Sequence, residues 1–191
     1  MCFYITATLP KEASFDTIKE IFNEYNMVFN PIQNKSIQTQ LRPSDLYFRA
    51  TKSYCDCGTV LGSLNRKQEY QNFLNSKKIR TLKKKKWTDD QIDKWIKEKL
   101  KKDSSSTIGK KLTPMEIDKE TTRWMKFLQS LLNNKKVSRI GLLKHWYDGA
   151  LEIEKITLIR IEKIPINRIS PKFLLNLEED VLYEFIPAYN F

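Results

Sequence analysis

Apolar positions recur along this chain in three rhythms, and those rhythms divide it into thirds. The opening Cys2-Phe-Tyr-Ile-Thr-Ala-Thr-Leu9 is dense in β-branched and aromatic residues and stops at Pro10, the pattern of a strand. Behind Ser14, a predicted N-cap, Phe15, Ile18, Ile21, Phe22 and Tyr25 return at helical spacing and make one apolar stripe. Met27 to Ile32 reads as a second strand and Leu46 to Ser53 as a third, entered through the turn Arg42-Pro-Ser-Asp45. The first third is therefore a predicted strand-helix-strand unit.

The middle of the chain shifts to helical periodicity. Thr88 and Gln91 have the spacing of a capping box, ahead of Ile92, Trp95, Ile96 and Leu100 on one helix face. Asp103-Ser-Ser-Ser-Thr-Ile-Gly109 is small, polar and glycine-terminated, the composition of a linker. The next helix announces itself three ways: Thr113 as N-cap, Pro114 at the first helical position and Glu116 three residues after the cap. Its Ile117, Trp124, Leu128, Leu131 and Leu132 share a face.

The last third returns to strand character. Val137 to Tyr147 and Glu152 to Ile164 flank an Asp148-Gly149 turn signal and read as a hairpin. Ser170-Pro171 then predicts a terminal helix running through Leu174, Leu175, Leu177, Val181 and Leu182 and ending before Pro187. Strands at both ends with helices between them predict an α+β fold: a mixed or antiparallel sheet with helices on one face, residues 1–65 and 112–191 forming one body, and 66–111 a basic helical insertion or lid. No internal repeat is visible.

Composition sharpens this picture in two places. Of 191 residues 40% are hydrophobic and 30% charged, enough for an ordinary core without disulfides or metals, and far from a collagenous or disordered composition. No apolar run approaches the roughly 20 residues of a membrane-spanning helix, and the first basic residue is Lys11, so neither a span nor a secretory leader is predicted. The expected setting is cytoplasmic, with no membrane partner. Cys2, Cys55 and Cys57 are odd in number, and two are a single residue apart, which suits a reducing compartment.

The net charge of +11 is concentrated. Arg66 to Lys111 holds sixteen Lys or Arg against six Asp or Glu, leaving the rest of the chain nearly neutral. Within that segment lie Lys77, Lys78, Arg80 and the unbroken Lys83, Lys84, Lys85 and Lys86, followed at once by Trp87. Clustered ammonium groups gather phosphates, and an adjacent indole offers a face on which a base stacks. The same run also reads as a solvated, solubilising face. Lysine is a point charge on a flexible stem, so sequence-specific reading of the kind arginine supports is not expected.

Three constellations carry candidate chemistry. In Cys55-Asp-Cys-Gly-Thr-Val-Leu-Gly-Ser63, Gly58 and Gly62 permit unusual or close backbone approach, Thr59 adds a hydroxyl and Ser63 is placed to cap a following helix; amides converging there would cradle a phosphate, with Arg49 as a directed contact. The order of glycines is neither that of a Walker loop nor that of a dinucleotide fingerprint, and an ordinary glycine turn has the same composition. Cys-x-Cys lacks the spacing of common zinc knuckles, and no second ligand pair accompanies it, so no metal or other cofactor is expected and the thiols read as small buried hydrophobes. Met1 ahead of Cys2 leaves that cysteine without the free amine an N-terminal nucleophile needs. The single histidine, His145, reads as a structural residue beside Trp146. Asp148, Glu152 and Glu154 follow it closely; on one strand Glu152 and Glu154 would share a face and could hold Mg²⁺, while the alternation with Leu151 and Ile153 is equally that of a half-buried strand.

The opening Met1-Cys-Phe-Tyr-Ile-Thr-Ala-Thr-Leu-Pro10 together with Cys55-Asp-Cys-Gly-Thr59 resembles small bacterial and phage proteins that begin Met-Cys and carry this cysteine turn. The resemblance covers about the first 65 residues and brings no activity, fold or ligand with it. It is compatible with a viral counter-defence protein that sequesters a nucleotide signal. The expectation from sequence is thus binding of an anionic, phosphate-bearing ligand, a nucleotide or a nucleic acid, through the lysine-rich segment. Two alternatives stand beside it: a metal-dependent phosphodiesterase or cyclic-nucleotide hydrolase using Glu152, Glu154, His145 or Asp148, and an interaction module docking on an acidic protein.

Overall fold

A computed structural model describes residues 2–13, 15–50, 54–62, 73–74, 76–103, 112–133 and 137–188. The chain divides into two compact units: residues 1–62 with 112–191, and residues 63–111. The larger unit is α+β, built on a six-stranded mixed sheet. Its strands are β1 (Cys2–Pro10), β2 (Asn30–Pro31), β3 (Asp45–Arg49), β4 (Ile140–Tyr147), β5 (Arg160–Pro165) and β6 (Val181–Ile186), arranged β2-β3-β1-β4-β6-β5. All neighbours are antiparallel except β5 and β6. No helix among the described residues is long and apolar enough to cross a membrane.

Strand alternation gives the sheet two different faces. One collects Ile5, Ala7, Leu9, Phe48, Leu142 and Phe185 and packs beneath helices α1 (Phe15–Glu24), α5 (Pro114–Asn133) and α6 (Pro171–Leu175). The capping box at the start of α5 is formed: Thr113 N–H donates to Glu116 Oε2 at 2.8 Å and Glu116 N–H to Thr113 Oγ1 at 3.2 Å. From there the apolar stripe carries Trp124, Phe127, Leu128, Leu131 and Leu132 into the core. Burying five such side chains contributes roughly 1.5–3 kcal/mol each.

The opposite face is covered too, by the short helix α2 (Lys35–Gln38) and by residues 151–158. Buried Asn34 binds the two together. Its Oδ1 caps α2 by accepting from Ser36 and Ile37 N–H, and its Nδ2 donates to the Leu151 and Glu154 carbonyls at 2.7 and 2.9 Å. Ser36 and Gln40 continue the clasp on Ile156 and Leu158. Residues 148–159 are consequently not the strand that the hairpin expectation required. They cross the sheet face as an irregular strap, and β6 takes the edge of β4 that a hairpin partner would have used. The predicted terminal helix is likewise shorter: α6 stops at Leu175, Asp180 turns the chain at φ 61°, and Val181 and Leu182 begin β6. Of the predicted second strand only Asn30 and Pro31 remain as strand, followed by one further bond to β3 from Ile32 N–H to Tyr47 O at 2.9 Å. Ser14 and residues 51–53 of the predicted third strand lie outside the described residues.

Under the strap the sheet buries polar groups in a chain. Tyr47 donates its hydroxyl to Thr6 Oγ1 at 2.8 Å, and Thr6 donates onward to the Leu143 carbonyl at 3.2 Å. With its own proton so used, Tyr47 is left to accept from Tyr147 at 2.9 Å. Burial holds both phenols neutral, pushing Tyr47 up to about 12 and Tyr147 higher still. Removing the middle of this chain orphans a buried donor, whereas removing its end does not. Tyr47→Phe should therefore cost about 1–3 kcal/mol of unfolding free energy and Tyr147→Phe clearly less, by urea denaturation of each variant.

The described residues of the smaller unit include a helical hairpin of α3 (Lys77–Lys84) and α4 (Asp89–Asp103) around Ile79, Leu82, Ile92 and Ile96. Ser76 caps α3 and the Thr88–Gln91 box caps α4. The linker expected at 103–109 falls, beyond Asp103, outside the described residues.

Candidate functional site

The stretch from Tyr54 to Gly62 owes its shape to an unfinished strand pair. β3 accompanies β1 only as far as Thr6, yet Phe3 and Ile5 lie buried beyond that point, with backbone groups facing where β3 would have run. A buried backbone group without a partner is costly, and four need one. Ala50 N–H donates to Ile5 O at 3.0 Å and Asp56 N–H to Phe3 O at 2.9 Å. Asp56 Oδ2 accepts from Ile5 N–H at 2.7 Å, and Cys57 Sγ accepts from Phe3 N–H at 3.2 Å. The Cys-Asp-Cys turn thus completes the sheet edge with side chains. Thr59 closes it with bonds to Asp56, and Gly62 comes so near that a Cβ there would sit 2.1 Å from Asp56 O.

That arrangement places the expected cradle residues. Thr59 N–H is given to Asp56 O and Gly62 N–H to Thr59 Oγ1, while Gly58 is exposed. Ser63 lies outside the described residues. Arg49 reaches toward the same turn, donating to Tyr54 O at 3.0 Å with its guanidinium 5.1 Å from the Tyr4 ring. Three thiols meet here: Cys2 from the start of β1, with Cys55 and Cys57 from the turn, all half-buried and with sulfurs within 4.8 Å of one another. Desolvation pushes the Cys57 thiol up to about 12 and raises Cys2 as well.

His145 finds a partner that its neighbours in sequence do not supply. It lies 7% exposed on the strap-side face, its ring edge-on to Tyr147, and its Nδ1 meets Asp180 Oδ1. Asp180 is brought there by the left-handed turn before β6. Glu179 sits alongside and accepts from Trp146 N–H at 3.1 Å. Its carboxyl is raised above the usual range by desolvation first and Asp180 second, against the lowering pull of His145, the Trp146 N–H and Lys144. Asp148 instead accepts from the Trp146 indole, and Glu154 accepts from the Asp148 and Gly149 amides to pin the turn. Glu152 is exposed in that turn; with no strand beneath them, Glu152 and Glu154 do not form a pair on one sheet face.

In the smaller unit the lysine run is shaped by the end of α3. Lys86 adopts φ 61°, Lys86 N–H bonds to Lys83 O, and Trp87 N–H reaches back to Leu82 O at 3.2 Å. This is a Schellman closure with lysine where glycine is usual. Lys83 to Lys86 are all exposed, as are Arg80 and Trp87, the latter at 38%. Lys83 pairs with Asp89 at 3.4 Å; among the described residues Lys84, Lys85 and Lys86 make no ion pair.

No family profile matches the chain, and no curated protein or solved structure matches it either. Fold and site together define an α+β protein with a thiol cluster at a side-chain-completed sheet edge and a separate basic helical hairpin.

Two outcomes follow from the larger unit. Asp56→Ala should cost about 1–3 kcal/mol, because the Ile5 N–H is then buried without an acceptor, and Asp56→Asn should cost less; urea midpoints compare them. Since Glu179 holds its proton more tightly in the folded chain than in the unfolded one, its contribution to stability is full below the ordinary glutamate pKa and is lost as pH rises through the raised one. Glu179→Gln, which keeps the acceptor for Trp146 N–H, should raise the melting temperature at pH 7 and lose that advantage toward pH 4.

Proposed function

We propose that the protein binds phosphate-bearing polyanions, single-stranded nucleic acid in particular, through the basic hairpin. The observation that carries this reading is the turn at the end of α3, where Lys84, Lys85 and Lys86 are exposed and without carboxylate partners among the described residues, immediately beside a partly exposed Trp87. A strand of phosphates passing such a turn releases condensed counterions to the solvent, and an indole face takes a base without regard to sequence. Exposed lysines suit an extended polyanion better than a single nucleotide, which needs enclosing walls. Lysine rather than arginine makes the binding tolerant of sequence.

Anisotropy of a labelled oligodeoxynucleotide, titrated at several salt concentrations, tests this. Replacing Lys83 to Lys86 together with glutamine should weaken binding more than tenfold at low salt and flatten the logarithmic salt slope by roughly 2–3, given about 0.7 per single-strand phosphate contact. Trp87→Ala should weaken binding with the slope unchanged. Equal binding by the wild type and the glutamine variant would overturn the reading.

A further inference from the structure

We propose that Cys2, Cys55 and Cys57 form a three-thiolate site for one soft metal ion, with zinc(II) as the defining occupant and one coordination position left to an outside ligand. The proposal is independent of the basic hairpin and of any nucleic-acid binding. Sequence spacing alone argued against a metal, because Cys-x-Cys lacks the spacing of common zinc knuckles and no second ligand pair accompanies it. The fold supplies the third from more than fifty residues away, at the first residue of β1.

Geometry favours coordination in three respects. The three sulfurs already lie within 4.8 Å of one another, while a zinc ion with bonds of about 2.3 Å holds its sulfurs about 3.8 Å apart, so small side-chain rotations close the difference. The turn is fixed from behind: buried Asp56 is bonded to Ile5 N–H, and Phe3 N–H points at Cys57 Sγ, the kind of outer bond that orients a thiolate ligand and steadies its charge. All three cysteines are half-buried rather than sealed, which leaves an entry path for the ion. Three thiolates select thiophilic ions such as zinc(II) or copper(I) over magnesium or calcium. His145 is not in the cluster; it belongs to the separate group with Glu179 and Asp180, so no fourth ligand comes from it. On binding, the ion takes three sulfur electron pairs and the three S–H protons leave to solvent.

The test uses the full chain, reduced, stripped with a chelator and titrated with cobalt(II), then with zinc(II). One equivalent of cobalt should bring up thiolate-to-cobalt charge-transfer absorption, which zinc then abolishes. Cys2→Ser and Cys57→Ser should each lower zinc affinity by at least the ~10–100-fold that loss of an outer-shell partner costs. Zinc should raise the melting temperature of the wild type clearly more than that of either variant, and an equal shift in all three would overturn the site. If the variants fold poorly, alkylation of the wild type decides: one equivalent of zinc should slow iodoacetamide at all three cysteines together. Cobalt spectra without the charge-transfer band, or alkylation indifferent to zinc, would overturn the site.

Discussion

The larger unit depends on keeping the central strand β1 hydrogen-bonded along both edges although one neighbour is too short. β4 pairs with β1 from Cys2 to Thr8, but β3 leaves it at Thr6. The buried backbone of Phe3 and Ile5 would otherwise face the interior without partners, at a cost comparable to several lost hydrogen bonds. Nature's usual answer is another strand or a water. Here one backbone amide, one carboxylate and one sulfur from a single turn do the work, with Ala50 supplying the fourth bond. The turn is therefore bound to the sheet by its chemistry, and the thiols on either side of Asp56 are carried to Cys2 as a consequence.

The same economy of side chains holds the opposite face. A sheet face lined by Thr6, Tyr47, Tyr147, His145 and Glu184 cannot be covered by an amphipathic helix alone, because each buried polar group must find a partner. Most do so, each differently, although His145 Nε2 stays buried without a hydrogen-bond partner among the described residues while its Nδ1 meets Asp180. The hydroxyls form a directed chain that ends on a backbone carbonyl, Glu184 takes both nitrogens of Arg42 at 2.5 and 2.9 Å, and Arg139 meets Asp45. A one-residue slip of β1 against β3 would move Thr6 to the helix-covered face and Ile5 under the strap. The register is thus specified from both sides, by apolar packing on one and by hydrogen-bond bookkeeping on the other.

What could be read from the sequence was whatever is local. The two capping boxes need only residues three apart, and both are formed as the spacing implied. β1 showed itself by composition, and the α+β class by the order of elements. Val181 to Ile186 misled because an apolar-rich run of six residues, five of them buried, looks the same as a strand or as a helix segment. The supposed hairpin failed because β4's free edge was claimed by β6, a contest between strands forty residues apart that no local signal decides. The site was legible only in fragments. Cys55-Asp-Cys-Gly-Thr59 stood out, but the buried work of Asp56, the arrival of Cys2 and the pairing of His145 with Asp180 are products of tertiary contact. A left-handed aspartate at position 180 leaves no mark that composition or periodicity could register.

The basic hairpin obeys a different logic, since its lysines serve the helix before they serve anything else. Cations in the last turn of α3 meet the negative end of its dipole, a favourable contribution of about 0.3–1 kcal/mol each when exposed. Lys86 gives some of this back, because a side chain in the left-handed region costs about 1–2 kcal/mol where glycine would cost nothing. Stability alone would place glycine there. The lysine keeps the Schellman closure and extends the row of exposed ammonium groups up to Trp87. The burial of Leu82 beneath that turn fixes the backbone, so the display of Lys84, Lys85 and Lys86 is a property of the hairpin's own packing.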